Sequence, residues 1–85
     1  MVSKNILPLS FIKPGEDVIV EDYRCGRGMR QRLTVLGLVP NAGVRVVNND
    51  MIGPLIISVG GGRLAIGRGM AQRILVSEKS NLPKC

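Results

Sequence analysis

At 85 residues the chain is one small domain with room for a single modest core. That core is aliphatic: 45% of residues are hydrophobic but only 2% aromatic, so there is no set of rings on which unpaired bases could stack. The net charge of +6 suits an acidic protein, an anionic membrane surface or nucleic acid, while the absence of histidine removes Ser-His-Asp and Cys-His catalysis and the commonest metal ligand.

The remaining inventory narrows the class further. Arginines outnumber lysines, which favours bidentate contact with carboxylate or phosphate. Cys25 and Cys85 form no CxxC and do not have the spacing of a zinc site, and nothing demands a disulfide between them. No secretory leader is evident and no apolar run approaches the ~20 residues that span a bilayer. The expectation is a cytoplasmic chain with reduced thiols.

In chain order, residues 1–8 are expected to be a loose end, 9–77 the folded domain and 78–85 a polar tail. The apolar stretch Ile6 to Ile12, interrupted by Pro8 and Ser10, predicts a single turn followed by extended chain, with Leu9 and Phe11 plugging one end of the core. Lys13-Pro14-Gly15-Glu16 is a turn, with Pro fixing φ and Gly supplying a positive one. Asp17 to Tyr23 is β-branched between polar ends and predicts the first strand.

Arg24-Cys25-Gly26-Arg27-Gly28 has neither the P-loop nor the dinucleotide pattern, so its glycines are read as letting the chain turn into a helix. Met29, Leu33 and Leu36 then recur at i, i+4 and i+7, one helical face. Gly37 and Pro40 stop that helix, and Asn41 suits the turn behind it. Val44 to Asn48 predicts the second strand, and Asn48-Asn49-Asp50 with Gly53-Pro54 a polar connection that carries an apolar pair, Met51-Ile52. Leu55 to Val59, the Gly60-Gly61-Gly62 hairpin and Arg63 to Gly67 supply the third and fourth strands. Arg68 to Gln72 is one helical turn, and Arg73 to Ser77 the last strand. The fold class is mainly β: a small, partly open, SH3-like five-stranded barrel with one short α-helix between the first two strands.

These residues resemble the FeoA family from about Leu9 to Val76. The likeness rests on Leu9 with Lys13-Pro14-Gly15-Glu16, Arg32-Leu33 with Leu36-Gly37-Leu38-Val39-Pro40, Gly43-Val44-Arg45-Val46, Gly53-Pro54-Leu55-Ile56, Leu64-Ala65-Ile66 and Ala71 to Val76. Asn41 stands where the family usually has glycine, and Gly67-Arg68-Gly69-Met70 replaces a more charged segment. A similar pattern occurs as a C-terminal domain of metal-dependent repressors of the DtxR type. The resemblance implies a non-enzymatic accessory module of bacterial ferrous iron uptake that works in the cytoplasm with the FeoB GTPase-permease, and approaches the membrane only through it. It implies no cofactor and no small-molecule substrate.

The acids leave no evident iron site. Glu16-Asp17 and Glu21-Asp22 flank the first strand, roughly 15 Å apart at strand rise, and adjacent carboxylates on a strand point to opposite faces. Neither cysteine is assigned as a ligand, although Cys25 in its basic loop is a candidate for weak binding of a soft metal. The candidate partner contacts are Arg24, Arg27, Arg30, Met51 and Ile52. Arg32, Leu33, Leu36, Gly37 and Pro40 form the structural motif, with Arg32 open to either an interface or a bracing role. The alternatives are a nucleic-acid-binding barrel or a weak transition-metal-binding regulatory domain like that of the repressors.

Overall fold

A computed structural model describes residues 5–50 and 52–78. Six strands form one antiparallel sheet: β1 (Leu7–Pro8), β2 (Asp17–Tyr23), β3 (Gly43–Asn48), β4 (Leu55–Val59), β5 (Gly62–Ile66) and β6 (Ile74–Glu78). Their order is β1-β6-β2-β3-β4-β5. Helix α1 (Arg27–Val35) lies between β2 and β3, and the one-turn α2 (Arg68–Ala71) between β5 and β6. The sheet is mainly β and SH3-like as expected, but it holds a sixth strand and does not close into a ring, since β1 and β5 stand at its two ends. Leu7 and Pro8 pair with Val76 and Leu75 inside the segment expected to be loose. Proline is tolerated there because an edge strand needs no donor on its outer side.

Two bulges curl the sheet. In β2 the pairing with β6 shifts between Val20 and Asp22. Val18 and Val20 point inward, and strict alternation would send Asp22 after them; the extra residue hands that place to Tyr23 instead, which is buried. A second bulge lies between Val46 and Asn48 against β4. The β4–β5 hairpin turns on Gly60 and Gly61, both at positive φ, with Val59 and Gly62 as the closing pair. The resulting core is aliphatic, built around Leu9, Leu33, Leu38, Leu55, Ile57 and Ile74.

The stop after α1 is a Schellman motif. Gly37, at φ +89°, donates its N–H to Thr34 O at 3.0 Å, and Leu38 N–H reaches Leu33 O at 2.9 Å. Leu33 and Leu38, the two positions where this motif places its apolar residues, are both fully buried in the core. Asn41 takes φ +75°, and backbone bonds in both directions between Asn41, Ala42 and Val20 seat the turn on β2. The Tyr23 hydroxyl donates to Leu38 O and closes the same corner.

Two core expectations are corrected. Phe11 is 70% exposed. It ends a 3-10 turn over Leu9–Phe11, and at about 120° per residue Leu9 and Phe11 cannot share a face, so only Leu9 is a plug. Leu36 is 41% exposed, because α1 ends at Val35 and Leu36 is its C-cap; Leu38 fills the core position instead.

Candidate functional site

Helix α1 has three longitudinal faces, which follow from about 100° of rotation per residue. Leu33, with Met29 partly buried beside it, faces the core. Arg27, Arg30 and Thr34 lie on one exposed flank, and Gly28, Gln31, Arg32 and Val35 on the other.

The arginine flank follows the C-terminal end of β2. The Arg30 guanidinium lies 5.5 Å from the centre of the Tyr23 ring and 4.0 Å from Asp22 Oδ1. Burial pushes the Tyr23 phenol above its ordinary pKa, with Arg30 opposing. Arg24 is exposed and bonded through its N–H to Arg73 O, and Arg27 is exposed. The first turn of α1 holds no acid and Gly26 offers no side-chain cap, so Arg27 and Arg30 stand where the helix dipole disfavours cations. Helix stability does not account for them.

The other flank of α1 forms an open groove with α2, lined by Gly28, Gln31, Arg32, Val35, Leu36 and Met70. Its walls are mostly carbon, and Val35 is 82% exposed. A Cβ added at Gly28 would meet open space, so glycine there leaves room on the groove wall. Arg32 stands in this groove, on the side of α1 away from Arg27 and Arg30.

The β3–β4 connection leaves β3 beyond the N-terminal end of β2, where Gly15 and Glu16 bond Val46. Ile52 lies there, 89% exposed. Met51 falls outside the described residues. The candidate contacts therefore divide between the two ends of β2. Asn49 anchors this connection: its amide donates to Ser10 O at 3.1 Å and Ile12 O at 2.7 Å, and its oxygen accepts from Arg68 Nη2 at 2.8 Å. One side chain thus ties the 3-10 turn, the β3–β4 connection and α2 together. Sequence reasoning gave Asn49 no role, since its partners lie far away in the chain.

Among the described residues, no three His, Cys, Asp or Glu side chains group to hold a metal ion. Glu21 accepts from the Ser77 hydroxyl. Asp17 takes a bidentate pair from Arg45, at 2.8 and 3.1 Å, which raises the Arg45 pKa through that bond. Cys25 is a half-buried free thiol packed against the core, and Cys85 is outside the described residues. No helix among the described residues is long and apolar enough to cross a membrane.

Comparison with known proteins bears on this geometry. The chain is 44% identical over 71 residues to a protein of Methanocaldococcus jannaschii assigned as Fe(2+) transport protein A, an alignment covering 84% of this chain and 85% of that one. A crystal structure of an iron uptake regulatory protein, FeoA, superposes with a TM-score of 0.79 at 42% identity, over 87% of this chain and 97% of the other. A manganese-dependent transcriptional repressor shares the fold alone, at 16% identity and TM-score 0.79, over 91% of this chain and 44% of its own. The family model for the FeoA domain matches residues 7–78, from β1 to the end of β6, and the chain belongs to the FeoA family.

Proposed function

We propose that this chain is a non-enzymatic accessory protein of ferrous iron transport, which docks on the cytosolic part of a FeoB-type GTPase-permease and modulates it. Family membership supports the transport role. The observation that carries docking is the surface: Val35, Leu36 and Met70 line one contiguous apolar groove that the fold leaves open to solvent. In this reading the protein works in the cytoplasm and meets the membrane through its partner. Arg24, Arg27, Arg30, Met51 and Ile52 are its proposed contacts, together with the groove residues Val35, Leu36 and Met70.

Capture of the transporter's cytosolic portion on immobilised protein tests this. Wild type retains the partner, and failure to do so at low salt contradicts docking. Charge reversal at Arg27 and Arg30 weakens capture; unchanged capture removes the arginine flank from the interface. Nucleic acid is the second reading, favoured by the arginines along α1. It requires binding that falls steeply with salt, which a gel shift at low and moderate salt detects.

A further inference from the structure

The groove between α1 and α2 has a distinct electrostatic setting. The segments 24–41 and 67–73, which carry both helices and their flanks, contain Arg24, Arg27, Arg30, Arg32, Arg68 and Arg73 and not one Asp or Glu. The acidic residues lie elsewhere: on or beside β2, at Asp50, and at the end of β6. Arg68 is tied to Asn49, whereas Arg32 is exposed and lines the groove.

We propose that this groove takes an acidic protein segment whose aliphatic side chains sit against Gly28, Val35, Leu36 and Met70 while a carboxylate faces Arg32. Three observations select that occupant. The apolar walls call for side chains that leave water. The groove lining, which holds Arg32 and no acid, calls for an anion beside the apolar contact and disfavours a basic partner. The concave shape, with the groove wall left open at Gly28, fits a projecting side chain better than a flat bilayer or a phosphodiester backbone. This deepens the docking reading, on which it rests, by naming the chemistry of the partner's contact.

The test uses the full chain, labelled for amide NMR, and a synthetic helical peptide rich in Glu with two Leu residues one turn apart. Binding is expected to shift the amides of Gly28, Gln31, Val35, Leu36 and Met70. Replacing both peptide Leu by Ala, or its Glu by Lys, is expected to weaken binding by about tenfold or more, near 1.4 kcal/mol. Val35→Glu, a change at an exposed position that leaves the melting temperature in place, abolishes binding, and Gly28→Leu, which fills the groove, does the same. No shifts on this face, or equal binding of the Lys peptide, overturns the proposal. So does binding of phosphatidylserine vesicles without binding of the peptide. Transporter capture run in parallel separates the two claims. If Val35→Glu captures the transporter as wild type does, the groove proposal fails and docking stands; if the peptide binds but the transporter is not captured, docking fails and the groove stands.

Discussion

Leu33 and Val35 are two residues apart on the same helix, are similar in chemistry, and have opposite fates. Leu33 is sealed in the core beneath the Schellman stop, and Val35 points into solvent on the groove flank. One residue is part of the core and the other lies outside it. What marks the surface is that Val35 continues into Leu36 and Met70 as one uncovered apolar wall.

The largest expected effect exploits that contrast. Leu33→Ala costs about 2–5 kcal/mol through lost burial and the cavity left behind. Val35→Ala stays within about 0.5 kcal/mol. Urea midpoints of the two variants, at equal m-values, measure the difference; comparable losses would mean that Val35 is part of the core. Next is Asn49→Ala, which removes three hydrogen bonds and leaves the carbonyls of Ser10 and Ile12 and the Arg68 guanidinium short of partners. It is expected to lower stability by about 1–3 kcal/mol, read as a lower melting temperature. If the clasp also positions Met70, binding at the groove weakens with it, whereas binding at Arg27 and Arg30 does not.

Tyr23 gives a smaller, pH-dependent effect. Its pKa is raised in the folded state, chiefly by burial. The folded state therefore keeps the phenolic proton more tightly than the unfolded chain. The stability this provides is fully present below the ordinary tyrosine value of about 10 and is lost as pH climbs above it, toward the folded pKa. Thermal melts across that alkaline range should show a decline that Tyr23→Phe flattens, at the cost of about 1 kcal/mol at neutral pH from the lost bond to Leu38 O. The smallest effect belongs to the Arg45–Asp17 pair, which bridges β2 and β3 in solvent. Arg45→Gln should barely move the melting temperature, and any shift should vanish with added salt.

Much of the fold was legible in the sequence because local chemistry decided it. β-branched runs place β2 and β4 at their observed bounds, and Gly15, Gly37, Asn41 and the Gly60-Gly61 pair mark turns through conformations that few other residues adopt. What escaped depended on distant partners. Leu7–Pro8 is a strand only because β6 lies beside it, and the place of Phe11 depended on a three-residue turn too short to show a period. The site was less legible than the fold. The arginines were visible as a cluster in the chain, but the groove requires Met70 to be brought against α1, which no spacing announces. Val35 did carry a signal: it is an aliphatic residue off the Met29–Leu33 face of a short helix.

The most direct test of the account is titration of the transporter's cytosolic portion into wild-type protein and into Val35→Glu, with folding of both confirmed by matching melts. The account predicts binding to wild type and a loss of about tenfold or more in the variant. Equal affinity for the two proteins, or no binding to either, would contradict it.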